Sequence, residues 1–362
     1  MKVQKASLLY SSLIYGVKLT TKLAFHKVYY YFGNKEPILH LEHPSAIFAN
    51  HVIETDIIAL SHVYPYVKPK AKFCYAMRQD IVEPNFLIKE FRPKGFLKFV
   101  LHIIDKSKII KILLEYIGGI GVKRPFRDDA RNLVKSGELR NLVETQWEKM
   151  ADISLKGRNL FLFPEGKFSE TGWLDPIRRG LFLLKKKIPH LKINFITFTY
   201  DFITYNKMDL HIVFGELTSL ENLQDEKEIS DLVKEKLGNN YAITPANLFS
   251  YFILHSHFNS FSKESILNKL SSLIKNLENH PKPFHISEDL KKNLEIRWNE
   301  FIQKTIQNGF INDSENNYKQ TEKLLYTDFK TGSEMRKKNS YLYHSNQLKS
   351  YTQILDELLK SF

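Results

Sequence analysis

The 362 residues contain a single cysteine, Cys74. One thiol cannot build an internal disulfide framework or a multi-cysteine zinc site, and the scarcity favours a reducing compartment. No stretch reaches the ~18 uninterrupted apolar residues of a spanning helix. A Gly-x-Ser-x-Gly elbow is absent, which removes a common hydrolase arrangement. So are the phosphate-loop and dinucleotide fingerprints. Acids are scarce relative to bases: 40 Asp and Glu against 53 Lys and Arg leave a formal charge of +13. That surplus calls for an anionic partner, such as a nucleic acid, an anionic bilayer surface or a phosphorylated substrate. With neither zinc-finger spacing nor an RNA-recognition aromatic signature, nucleic acid is not the expected one.

What the chain does hold is 43% hydrophobic and 26% charged residues, enough apolar material for a core. Its length predicts more than one domain. Residues 1–40 carry Lys2, Lys5, Lys18, Lys22 and Lys27 amid Leu, Ile, Tyr and Phe, with the first acid at Glu36. This mix predicts amphipathic helices lying in a membrane interface. Packing of the same helices on the protein's own core is the alternative.

Residues 41–220 alternate short apolar runs with helical patterns. Ser45–Ala49, Phe73–Met77, Gly119–Val122, Asn159–Phe163, Lys192–Tyr200 and Leu210–Phe214 read as strands. Asp56–Tyr66, Lys106–Tyr116, Asp128–Met150 and Gly180–Lys187 read as helices. The expected architecture is therefore α/β, a mixed central sheet flanked by helices. From 221 to 362 the pattern becomes mainly helical, broken at His280–Pro283 and at the polar stretch Asn312–Gln320, and predicts a C-terminal helical domain.

Three motifs carry chemistry. His51 and Asp56 stand five residues apart just beyond the first strand. A histidine near neutral pKa can take a proton from a hydroxyl, and a neighbouring carboxylate can fix its tautomer. Lys123 and Arg124 end the Gly-Gly-Ile-Gly-Val strand, where a guanidinium can clamp a phosphate bidentately. Glu165-Gly166 ends the strand Asn159–Phe163, at the edge where open α/β sheets gather ligands. Gly166 permits close backbone approach, and Glu165 has the chemistry to bind an acceptor hydroxyl or order Arg124. No metal ligand set is expected.

Taken together, His51-Val-Ile-Glu-Thr-Asp56, Gly118-Gly-Ile-Gly-Val-Lys-Arg124, Phe163-Pro-Glu-Gly166 and the strand Ile193–Asp201 resemble, in order, the four blocks of the glycerophospholipid acyltransferase superfamily. Several details are similar to the glycerol-3-phosphate branch, among them Glu165-Gly-Lys-Phe-Ser-Glu-Thr-Gly172; Phe163-Pro164 is closer to the lysophosphatidate branch. The resemblance implies transfer of a fatty acyl chain from acyl-CoA or acyl-carrier protein, a co-substrate rather than a bound cofactor. The acceptor would be glycerol-3-phosphate or lysophosphatidate. It also implies a catalytic His51–Asp56 pair, acceptor binding by Arg124, Glu165 and Gly166, and work at the cytoplasmic face of an anionic membrane as a peripheral or monotopic protein. Val52 and Ile53 stand where the glycerol-3-phosphate branch usually has Arg-Ser, Phe168 stands where both branches usually have arginine, and Gly121 replaces an expected aromatic. That loss of charge keeps a second expectation open, a lipid-binding or remodelling protein without turnover.

Overall fold

The computed structural model describes residues 3–33, 38–53, 55–78, 88, 92–122, 137–205 and 207–360. Seven strands form one sheet: β1 (Phe25–Phe32), β2 (Ser45–Ala49), β3 (Phe73–Arg78), β4 (Gly119–Val122), β5 (Asn159–Leu162), β6 (Lys192–Asp201) and β7 (Met208–Ser219). Their order across the sheet is β1-β7-β6-β2-β5-β3-β4. From β6 to β4 every pairing is parallel. β7 runs antiparallel to β6, and β1 runs parallel to β7. The sheet is thus mixed, with helices on both faces, as the alternation of runs predicts.

Burial on both faces explains why the central strands are nearly unbroken apolar runs. In β2 all five residues are buried. Ala46 and Phe48 join one core, while Ile47 and Ala49 join the other. The same period of two runs along β6. Ile193 and Phe195 face the first core, whereas Ile196, Phe198 and Tyr200 face the second.

The first core belongs largely to the C-terminal helices. Thr197 donates its hydroxyl to the Leu237 carbonyl, and the Ala242 and Ala246 amides donate to Thr199 and Asp201. The odd-numbered side of β6 is therefore fastened, polar group by polar group, to the chain beyond residue 221. Apolar packing continues across that boundary, from Phe195 and Leu191 to Phe249, Trp298 and Phe301.

On the second face lies α1 (Leu8–Ala24), begun by a Ser7 cap that accepts from the Tyr10 amide. Tyr10 is buried and accepts from the Phe73 amide. A second interfacial helix expected before residue 40 is instead β1. His-Lys-Val-Tyr-Tyr-Tyr-Phe is rich in aromatic and β-branched side chains, and pairing with β7 from Phe25 to Phe32 gives them a ladder. Asp56–Tyr66, expected as one helix, is α2 (Asp56–Ala59) followed by two tight turns, Leu60–His62 and Tyr64–Tyr66. Regular helix ends at Ala59, and Pro65, with no amide to donate to the Ser61 carbonyl, sits within the second tight turn.

Between β3 and β4 come α3 (Gly95–Lys106) and α4 (Ile109–Ile117). α4 stops at Gly118, whose φ of +105° puts it in the left-handed region. A Cβ there would stand 1.9 Å from the Phe73 carbonyl oxygen, so only glycine fits. Among the described residues no helix is long and apolar enough to cross a membrane.

Candidate active site

The chain leaves β2 through Asn50, which is fully buried. Its amide group pairs with the main chain of β6, donating to the Phe198 carbonyl (2.9 Å) and accepting from the Phe198 amide (2.7 Å). The side chain thus stands in for one more residue of ladder, and the backbone is released to turn at His51.

His51 Nδ1 lies 2.8 Å from Asp56 Oδ2. The same oxygen accepts the Val52 amide at 2.5 Å and the Ile53 amide at 3.1 Å. Oδ1 accepts the Tyr200 hydroxyl at 2.5 Å. Four donors converge on a carboxylate with no exposed surface, which offsets much of the cost of burying its charge. With Nδ1–H donating to Asp56, the free lone pair of the neutral ring sits on Nε2. Phe163 stacks on one side of the imidazole, with centroids 4.1 Å apart and planes at 11°. Phe168 lies against it at 4.2 Å and 54°. His51 is itself only 8% exposed. The imidazole is therefore narrowly accessible and clad in aromatic carbon.

Glu165 is fully buried just beyond β5, and both of its oxygens are engaged. One accepts the His51 amide at 3.0 Å and the other accepts the Asp175 amide at 2.7 Å. Burial pushes its carboxyl up to about 8, against the pull of those two amides. Here Glu165 is a clasp between the His51 turn and the loop after β5. Gly166 has φ +67°, and a Cβ would meet the Arg178 side chain at 3.1 Å. Arg178 itself donates to the Glu165 carbonyl at 3.0 Å. The sequence-level readings of Lys123 and Arg124 fall outside the described residues. β4 ends at Val122, three strands from β2 on the far side of β5 and β3.

Several residues that position the pair were not singled out from sequence. Tyr200 sits on β6, 144 residues from its partner Asp56. Arg336 donates to the Val52 carbonyl at 3.0 Å, and Tyr343 donates to the Ser169 carbonyl at 3.3 Å. The Ser169 amide in turn donates to the His51 carbonyl at 2.5 Å. The C-terminal region thereby buttresses both loops of the site. Tyr200 lies inside the fourth block of the resemblance, which was the one signal pointing to it.

No protein-family model matches the chain, and no curated protein does. Among solved structures it is similar to the 1-acyl-sn-glycerophosphate (LPA) acyltransferase PlsC of Thermotoga maritima. The match has 13% identity and a TM-score of 0.40 over 63% of this chain and 78% of that one. At that level the likeness carries no weight for the chemistry, which stands on the geometry above.

Proposed function

We propose that the protein is an O-acyltransferase acting on a glycerolipid. It would move a fatty acyl chain from acyl-CoA or acyl-carrier protein to the hydroxyl of lysophosphatidate or glycerol-3-phosphate. The observation that carries this reading is the His51–Asp56 pair, joined at 2.8 Å on a turn that leaves Nε2 as the proton acceptor. Nε2 takes the acceptor hydroxyl's proton as its oxygen attacks the thioester carbonyl. The tetrahedral intermediate then collapses, the C–S bond breaks, and the departing thiolate recovers the proton from the imidazolium. Asp56 holds the ring and stabilises its transient charge. The site needs no enzyme nucleophile, because the thioester is already activated.

Phe163 and Phe168 flanking the base support an acceptor whose reacting end is followed by a lipid tail, hence lysophosphatidate before glycerol-3-phosphate. Lys123 and Arg124 are proposed to hold its phosphate, with Glu165 and Gly166 framing the pocket through the clasp. The protein would work on an anionic membrane surface at its cytoplasmic face.

Purified protein in anionic mixed micelles with palmitoyl-CoA and either acceptor tests this, with product read by mass spectrometry. Phosphatidate from lysophosphatidate is the expected result. His51→Ala should lower turnover on the order of a thousandfold while leaving the fold intact. Wild-type activity in that variant would sink the mechanism. No product with either acceptor, with acyl-carrier-protein donors also tried, would favour lipid binding without turnover.

A further inference from the structure

The α3–α4 hairpin is built from apolar sequence that the fold does not bury. Gly95–Lys106 reads Gly-Phe-Leu-Lys-Phe-Val-Leu-His-Ile-Ile-Asp-Lys, and Ile109–Ile117 reads Ile-Ile-Lys-Ile-Leu-Leu-Glu-Tyr-Ile. None of the described residues from 92 to 117 is buried. Phe96 is 80% exposed, Phe99 62%, Ile103 51%, Ile109 60% and Ile112 62%. Phe96, Phe99 and Ile103 follow helical spacing and share one face of α3; Ile109, Ile112 and Leu113 share one face of α4. Lys98 and His102 occupy the opposite side of α3, as Lys111 and Glu115 do on α4. A monomer in water rarely exposes so many large apolar side chains on two successive helices without a use for them.

Charge identifies the occupant. From Lys94 to Ile117 there are five lysines against two acids, and α1 adds lysines with no acid. The outward stripe of α1, Leu8, Tyr15 and Leu19, is likewise exposed. The start of α1 touches the end of α4, where the Ser7 hydroxyl lies 2.8 Å from the Tyr116 hydroxyl and Tyr10 donates to the Ile117 carbonyl. Apolar stripes bordered by lysine match the acyl and headgroup layers of an anionic bilayer. A protein partner of ordinary composition does not call for a lysine rim.

We propose that the α3–α4 hairpin, together with the outer stripe of α1, is the surface by which the protein docks on anionic lipid. The proposal sharpens the reading of the protein as a membrane-surface enzyme, but it does not depend on turnover.

The test is co-sedimentation of the full chain with vesicles of three parts phosphatidylcholine to one part phosphatidylglycerol, and with phosphatidylcholine alone. The wild type should bind the anionic vesicles more tightly. Phe99→Ser, Ile103→Ser and Ile112→Ser combined should lower partitioning on the order of a hundredfold, with unchanged thermal melting by circular dichroism. His51→Ala should partition like the wild type, which separates a failure of docking from a failure of catalysis. Any one of three results would overturn the proposal. The triple variant binds as the wild type does; it melts markedly lower, placing those side chains in a core; or sedimentation velocity shows the wild type self-associating through this face, with the variant monomeric and vesicle binding unaffected.

Discussion

Two histidine–aspartate pairs stand along the same edge of the sheet. His51 and Asp56 are 2.8 Å apart, His26 and Asp209 2.9 Å. Beyond that distance they share little. Asp56 receives four hydrogen bonds, three of them from outside the pair. Asp209 Oδ2 is buried with no partner within hydrogen-bond distance among the described residues, and burial pushes the carboxyl up to about 6. His51 is enclosed by phenyl rings, whereas the His26 side chain is 54% exposed and stacks on Tyr205. Distance alone therefore does not set the proposed catalytic pair apart from the other. What separates the two is the set of donors that fixes the carboxylate, and with it the ring.

The sharpest way to break this contrast is Asp56→Asn beside Asp209→Asn, read by acyl transfer in micelles. The first should lose turnover on the order of a thousandfold, because an amide favours the wrong imidazole tautomer. The second should stay within about twofold of wild type. Comparable losses in both would abolish the distinction.

Tyr200→Phe tests whether the extra donors matter. Under the proposed mechanism Tyr200, which donates to Asp56 Oδ1, is a positioning residue. Its loss should lower kcat about tenfold with KM unchanged, and cost about 1–2 kcal/mol of stability in urea unfolding. A shift in KM alone would argue against the role.

A smaller effect should appear in stability against pH. Asp209 has a folded-state pKa of about 6, above its ordinary 3.8. The stability it contributes is fully present below the ordinary value and is lost as pH rises through about 6. Asp209→Asn should therefore flatten the fall in melting temperature between about pH 4 and pH 6.5. His26→Ala should be the mildest change, leaving turnover within about twofold, since its ring is largely in solvent.

Much of the central architecture was readable from residues alone, because buried parallel strands leave a strong trace. β2 and β4 have the bounds that their apolar runs suggest, and β5 and β6 differ by a residue. Apart from Asp56–Tyr66, broken locally into short turns, the clearest failure is one of long-range pairing. Phe25–Phe32 carries the aromatic and cationic mix of an interfacial helix, and only its partnership with β7, some 180 residues away, makes it a strand. The site shows the same division. His51 and Asp56 were legible because the motif is local and the turn brings its ends together. The contributions of Tyr200, Asn50 and Arg336 depend on which strand and which helix lie alongside, and no local spacing encodes that. Glu165 could be singled out by its motif, but its engagement with the His51 and Asp175 amides could not.

Gly118 gives the hairpin a mechanical meaning. α4 passes into β4 through this one residue, pressed against the Phe73 carbonyl of the neighbouring strand. A joint with no slack transmits displacement, so a load on α3–α4 is delivered to the outer strands of the sheet and is not absorbed in a loose linker. The hairpin also lies inside the chain. If the hairpin is the docking surface, trimming either end would leave that surface in place; removing it would take rebuilding Gly95–Ile117 itself, with Gly118 kept.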